Sequence, residues 1–172
     1  MCKSSRSSNP SADENNLLPA VQNKPVIDVH DIAGIEALRR DLKIDPHRLK
    51  RFRVQFYKNH RGAERALEEI PEPVRHLAKA RIRFHSLDLE SVTDSKLDGA
   101  SKLVFRTDDG LSIETVILRT QSGRTALCVS SQVGCGANCS FCATGKLGIR
   151  RNLIPAEILD QFVQANLHLA KE

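Results

Sequence analysis

The sequence has no tryptophan, one tyrosine, and no run of about 18 apolar residues of the kind that crosses a membrane. We therefore expect no transmembrane helix. The polar N-terminus also lacks the apolar segment of a secretory signal, which favours a cytoplasmic location. No internal repeat is present. With 172 residues, 40% hydrophobic and 27% charged, the chain is typical of one or two small soluble domains.

The excess of positive charge is modest, at +5 with a pI near 9.1. It permits a polyanionic partner such as RNA without requiring one. A predicted helix over 48–58 concentrates basic side chains beside an apolar stripe. That pattern fits either a solvated helix face or a surface that contacts phosphates, and the local sequence does not separate the two.

The first half of the chain divides by composition into a leader and a helical part. Residues 1–24 are rich in Ser and Asn, which predicts a disordered leader. Residues 25–83 have helical apolar spacings, which predict a small helical accessory domain. Asp31 is a candidate N-cap for a first helix whose apolar side is predicted to carry Ile32, Ile35, Leu38 and Leu42. Asp45-Pro46 is a stronger start signal for the next helix.

The second half predicts strands and one final helix. Residues 84–120 contain two β-rich runs around Asp108-Asp109-Gly110, which is a hairpin signal. From 121 to 172 a strand at 125–130, a cysteine-rich loop and an amphipathic helix at 155–170 follow one another. A strand, loop and helix in that order are the opening unit of a parallel α/β architecture, so we predict an α/β fold and an incomplete (βα) barrel.

Four of the five cysteines lie in the segment 128–142, CVSSQVGCGANCSFC, while Cys2 lies in the leader and is read as a bystander. In a cytosolic protein such clustering favours metal or redox chemistry over structural disulfides. Cys135, Cys139 and Cys142 form a C-x3-C-x2-C pattern on one loop. A closed zinc site would need a fourth ligand, from Cys128 or His168, and neither continues a zinc pattern.

Three cysteines would leave one iron of a cubane iron–sulfur cluster without a protein ligand, free to bind a cofactor. The C-x3-C-x-φ-C form, with Phe141 at φ, resembles the signature of the radical S-adenosylmethionine (SAM) enzymes. That resemblance implies a [4Fe-4S] cluster held by Cys135, Cys139 and Cys142. It also implies S-adenosyl-L-methionine as the cofactor, with Phe141 beside the cofactor site.

The flanking residues resemble one branch of that superfamily, the RNA adenine-C2 methyltransferases of the RlmN/Cfr family. The resemblance covers about residues 30–172 and is strong only from about 112 to 161. It rests on the segments Glu114-Thr115-Val116, Thr125–Cys128, Cys128–Cys135, Asn138–Gly145, Gly148 and Arg151–Leu153.

The resemblance implies methylation of 23S ribosomal RNA, and of transfer RNA as a second substrate, at carbon 2 of adenine. In that family a methyl-cysteine and a 5′-deoxyadenosyl radical carry out the transfer, with an electron donor such as flavodoxin. Cys128 matches the thiol that forms a transient disulfide, and Glu114 matches the proton acceptor. Methylation at C8 is the nearest variant within the family.

The sequence departs from the family pattern in one important respect: no cysteine follows Cys142, where the methyl-carrying cysteine is expected. Later strands of the barrel are also missing. We therefore expect a truncated chain that is inactive by itself, or half of a split enzyme completed by another chain. The alternative from a different class is a non-catalytic RNA-binding or zinc-binding remnant.

Overall fold

The computed structural model describes residues 25–120, 122–137, 139–146 and 148–171. The predicted disordered leader at 1–24, with Cys2, lies outside the described residues. No helix within the described ranges is both long enough and apolar enough to cross a membrane.

The first part of the fold is helical, as predicted. Its helices are α1 (Ile32–Asp41), α2 (Pro46–Arg53), a π-helical segment (Val54–Lys58), α3 (Gly62–Leu67) and α4 (Glu72–Arg81). Both predicted caps are confirmed: Asp31 accepts a hydrogen bond from the Gly34 amide at 3.0 Å, and Asp45 accepts one from the His47 amide at 2.7 Å.

Two short strands, β1 (Ile27–Asp28) and β2 (Ile82–Arg83), pair in parallel and bring the two ends of the helical part together. Neither was predicted, because two residues carry no periodicity. Between them lies a core centred on the stacked rings of Phe52 and Phe56.

An antiparallel sheet follows, with strands in sequence order. Its strands are β3 (Asp88–Asp94), β4 (Ser101–Arg106), β5 (Ser112–Arg119) and β6 (Thr125–Cys128). The predicted hairpin is confirmed, and Gly110 adopts φ +78° in its turn. The strand predicted at 125–130 ends earlier, at Cys128.

The last elements frame the cysteine loop and cover the sheet. They are β7 (Gln132–Gly134), α5 (Ala143–Lys146), β8 (Ile149–Asn152) and α6 (Pro155–Leu169). The α6 helix is confirmed. The β7–β8 ribbon was not predicted, and β7 pairs with β8 antiparallel. From β3 to β8 the described ladders are all antiparallel, so the opening of a parallel barrel stays a prediction.

Helix α6 contributes to two hydrophobic cores, one inside the helical part and one beneath the antiparallel sheet. Val163 packs into the helical core, and Ala165 packs under the sheet with Leu103, Phe105 and Ile117. Polar contacts strengthen the same junction: the buried carboxylate of Asp160 accepts the Leu87 amide at 2.9 Å. The helical part and the sheet are therefore joined through one helix.

Candidate functional site

The two ends of the cysteine loop are held next to each other, because the strands on either side of it, β7 and β8, pair as an antiparallel ribbon. Val133 pairs with Arg151, and the Cys135 amide donates to the Gly148 carbonyl at 3.2 Å. Gly134 has φ +77°, and a Cβ on it would overlap that same carbonyl oxygen. Only glycine fits there, since side chains avoid positive φ and the backbones approach closely.

Arg151 ties this ribbon to two other elements. Its guanidinium makes bidentate contacts with Asp109 in the hairpin turn, at 2.7 and 2.9 Å, and with Glu157 in the first turn of α6, both at 2.8 Å. The hydrogen bonds from Arg151 hold the pKa of Glu157 and of Asp109 below their usual ranges. Glu157 also accepts the Ile154 amide at 2.9 Å, which supplies the helix cap that Ile154 cannot.

The three thiols of the predicted cluster site lie on this clamped loop, and all three residues are half-buried. The Cys142 amide donates to the Cys139 carbonyl at 3.1 Å, and the Ala137 amide faces the Cys135 sulfur at 3.5 Å. The backbone amide of Gly145, then that of Thr144, lowers the pKa of the Cys142 thiol. The local backbone therefore favours the thiolate, the form that binds metal.

The thiols do not converge in this structure. Among the described residues, no three His, Cys, Asp or Glu side chains are gathered as a metal site, with or without Cys128 or His168. The donor set nonetheless fits an iron–sulfur cluster, which takes thiolates from one loop of this kind. Binding would require the thiols to turn toward a common point. The ring of Phe141 is 90% exposed on the same loop.

Glu114 and Cys128 lie on the face of the sheet opposite α6. Val116 pairs with Cys128, so Glu114 sits one pleat further along on the same face. The Glu114 carboxylate is exposed and meets Lys102 at 3.2 Å. The predicted pair is therefore brought onto neighbouring strands.

The same face opens into a cavity of about 570 Å³ that reaches the clamped ends of the cysteine loop. Its walls include Glu114, Val116, Cys128, Gly134, Thr144 and Gly148. The carboxylate, the thiol and the base of the loop thus share one space.

Two residues of α6 that support this site were not singled out from sequence. Asp160 and Gln161 are both fully buried, and Gln161 bonds to Thr115 and Ser130 behind the cavity wall. The sequence signal that could have identified them is that these two polar residues interrupt the apolar positions of an amphipathic helix, where a polar side chain needs a buried partner.

Contacts within the protein neutralise only some of the positive side chains of the basic helix predicted over 48–58. Arg51 pairs with Glu69 at 2.8 Å, while Arg48 and Lys50 are exposed. These contacts leave both sequence interpretations of the helix open.

Comparison with known proteins gives a consistent result, although no protein-family model matches the chain. A probable RNA methyltransferase of Rhodopirellula baltica is 51% identical over 138 residues, which are 80% of this chain and 35% of that protein. A probable dual-specificity RNA methyltransferase RlmN of Aquifex aeolicus is 36% identical over 77% of this chain and 37% of its own length.

The fold has a counterpart among solved structures. The crystal structure of a radical SAM methyltransferase from Sphaerobacter thermophilus matches with a TM-score of 0.69 and 32% identity, over 81% of this chain and 40% of that one. The chain thus spans little more than a third of the length of these curated relatives. Over the residues that align, the chain belongs to the family of radical SAM RNA methyltransferases that includes RlmN, as its cysteine motif and flanking segments predicted.

Proposed function

We propose that this chain carries the cluster loop and two reaction residues of an RNA methyltransferase that modifies adenine at carbon 2. The observation that carries the proposal is the shared cavity, where Glu114 and Cys128 meet the base of the cysteine loop. The relatives are named as RNA methyltransferases, and the one from Aquifex aeolicus as a dual-specificity enzyme, which supports two classes of RNA, ribosomal and transfer, as substrates.

Cys135, Cys139 and Cys142 would hold the [4Fe-4S] cluster. When bound together with S-adenosylmethionine and supplied with an electron by a donor such as flavodoxin, the cluster provides radical chemistry. Carbon 2 of adenine requires such chemistry because it is not nucleophilic. The clamp formed by the β7–β8 ribbon keeps the three thiols on one short loop, and the amides beside Cys142 favour its ionised form.

The chain's own residues supply two further functions. The exposed carboxylate of Glu114 would accept a proton from the modified base. The thiol of Cys128, also exposed on the same face, would attack the sulfur of the methyl-carrying cysteine, which this sequence does not contain. The sulfur–sulfur bond that forms would replace the sulfur–carbon bond that breaks, and the electron pair of that bond would leave with the methylated base. Lys102 lies 3.2 Å from Glu114 and forms an exposed ion pair with its carboxylate at the edge of this face.

The test is anaerobic reconstitution of the 172-residue chain with iron and sulfide, followed by absorption spectroscopy and metal analysis. We expect a broad visible absorption band and several irons per chain. Cys139→Ser should abolish both. Cys128→Ser is the matched control, since it removes a thiol of the same segment that is not a proposed cluster ligand, and it should leave both unchanged.

Two results would contradict the proposal. One is stoichiometric zinc with no visible band, which would favour the zinc-binding alternative. The other is equal loss of the band in both variants, which would place Cys128 among the ligands.

A further inference from the structure

Gln161 in α6 uses its whole hydrogen-bonding capacity inside the protein. Its Oε1 accepts from the Thr115 hydroxyl at 2.7 Å and from the Ser130 amide at 2.8 Å. Its Nε2 donates to the Ser130 carbonyl at 3.0 Å and to the Glu157 carbonyl at 3.2 Å. A primary amide has two donors and two acceptor sites, so this side chain is saturated.

The residues it binds flank the proposed reaction pair. Thr115 follows Glu114 on β5 and points to the opposite face of the sheet. Ser130 comes two residues after Cys128, beyond the last paired residue of β6. The Ser130 hydroxyl donates to the Glu114 carbonyl at 2.7 Å, which closes the network.

This network takes over where the β-ladder stops. The β5–β6 pairing ends at Val116 and Cys128, so ladder bonds do not fix the chain beyond Cys128. Gln161 instead holds both backbone polar groups of Ser130 from the far side of the sheet. The chain just beyond Cys128 is therefore tied to β5 by two contacts: the direct bond from the Ser130 hydroxyl to the Glu114 carbonyl, and the Gln161 amide that bonds to both Ser130 and Thr115.

We infer that Gln161 is a positioning residue that holds the chain just beyond Cys128 against the Glu114 end of β5, and so steadies Glu114 and Cys128 on the cavity face. The inference rests on the proposed function for the chemical meaning of the pair. Its structural content can be measured without turnover, because loss of Gln161 should free the strand ends even in a chain that holds no cluster.

The same helix offers a matched control. Gln164 also crosses from α6 to the sheet side, donating to the Leu87 carbonyl at 2.7 Å and to Asp160 at 3.0 Å. It holds the start of β3 and has no contact with Ser130 or Thr115 among its hydrogen bonds. If the two substitutions acted only by loosening α6, both would have the same effect. If Gln161 has the inferred role, only its loss should loosen the chain around Glu114 and Cys128.

The experiment is hydrogen–deuterium exchange, resolved to segments 113–116 and 128–131, on the whole chain and its Gln161→Leu and Gln164→Leu variants. In Gln161→Leu we expect protection at both segments to fall about tenfold or more, since several buried hydrogen bonds are lost together. Gln164→Leu should leave both segments within about twofold of the parent.

A conservative variant adds a pH profile that a packing role does not predict. In Gln161→Glu a protonated carboxyl keeps the acceptor oxygen and one of the two donors of the amide, whereas an ionised carboxylate turns only acceptors toward the Ser130 and Glu157 carbonyls. Protection at 128–131, corrected for intrinsic exchange, should therefore recover as the pH is lowered.

Unchanged protection in Gln161→Leu, or equal loss in both leucine variants, would overturn the inference. If Gln161→Leu does not fold, the nearly isosteric Thr115→Val removes one of the four bonds and must itself loosen 128–131. The outcome is separable from the proposed function: loosened strands without a reconstituted cluster count against the function only, and a cluster with unchanged strands counts against the positioning only.

Discussion

The buried carboxylate of Asp160 should make the free energy of unfolding depend on pH in a defined range. Asp160 is fully buried and accepts hydrogen bonds from His85 Nδ1 at 2.9 Å, the Leu87 amide at 2.9 Å and Gln164 at 3.0 Å. The ring of His30 approaches to 3.8 Å, beyond hydrogen-bonding distance. Burial raises the pKa of Asp160, but the two imidazoles and the amide outweigh it and lower the pKa to about 2.

The size of the effect follows from proton linkage. The pKa in the folded chain lies about 2 units below the ordinary value of 3.8, and each unit is worth about 1.4 kcal/mol. Because the folded pKa is depressed, the stabilisation is present above the unfolded pKa, near 4, and is lost as the pH falls toward 2. We therefore expect this carboxylate to contribute about 2–3 kcal/mol that disappears across that window.

The assay is urea unfolding at a series of pH values for the parent chain and for Asp160→Asn. At about pH 7 the variant should lose about 3 kcal/mol, since its amide must place a donor where the carboxylate accepted one. Its stability should also fall less steeply on acidification. Asp88→Asn, at an exposed carboxylate near the same junction, is the control and should change neither quantity. If Asp160→Asn keeps the parent's stability and slope, the junction does not rest on this charge.

Two further predictions concern the frame of the cysteine loop. Gly134→Ala should destabilise the chain by about 2 kcal/mol or more in urea unfolding, because Gly134 has a positive φ and an added Cβ would meet the Gly148 carbonyl. The control Gly136→Ala, where an added Cβ meets open space, should be within about 0.5 kcal/mol of the parent. Equal effects of the two substitutions would argue against the close approach at Gly134. Arg151→Met should lower the free energy of unfolding by about 2 kcal/mol in the same assay, because it leaves Glu157 buried without its cation. The control Arg150→Met, at an exposed neighbour, should change it little. If Arg151→Met leaves the free energy of unfolding unchanged, the cap of α6 does not depend on this arginine.

Local signals predicted much of the fold. The caps at Asp31 and Asp45 act within three residues, and the hairpin turn carries its own glycine, so sequence and structure agree there. The prediction for α1 was wrong in one detail: Ile32 was placed on the apolar side of this helix, but it is 72% exposed. It occupies the first turn, before the helix reaches the core.

Features that depend on distant partners could not be predicted. The β7–β8 ribbon is too short to show alternation, and its pairing is set by the close approach at Gly134. Asp160 and Gln161 look unfavourable on an apolar stripe until their partners appear, 75 residues away for His85 and 46 for Thr115. For the candidate site, sequence named Glu114 and Cys128, and the structure adds their common cavity and its support from α6.

The sharing of α6 between two cores has a consequence for folding during synthesis. Val163 and Ala165 complete different cores, and the Asp160 and Gln164 contacts to Leu87 close loops of 73 and 77 residues. Neither core can finish packing before this helix has left the ribosome, and loop closure over such lengths slows folding. Until then the nascent sheet presents its apolar underside, with Leu103 and Phe105, to the solvent and to chaperones.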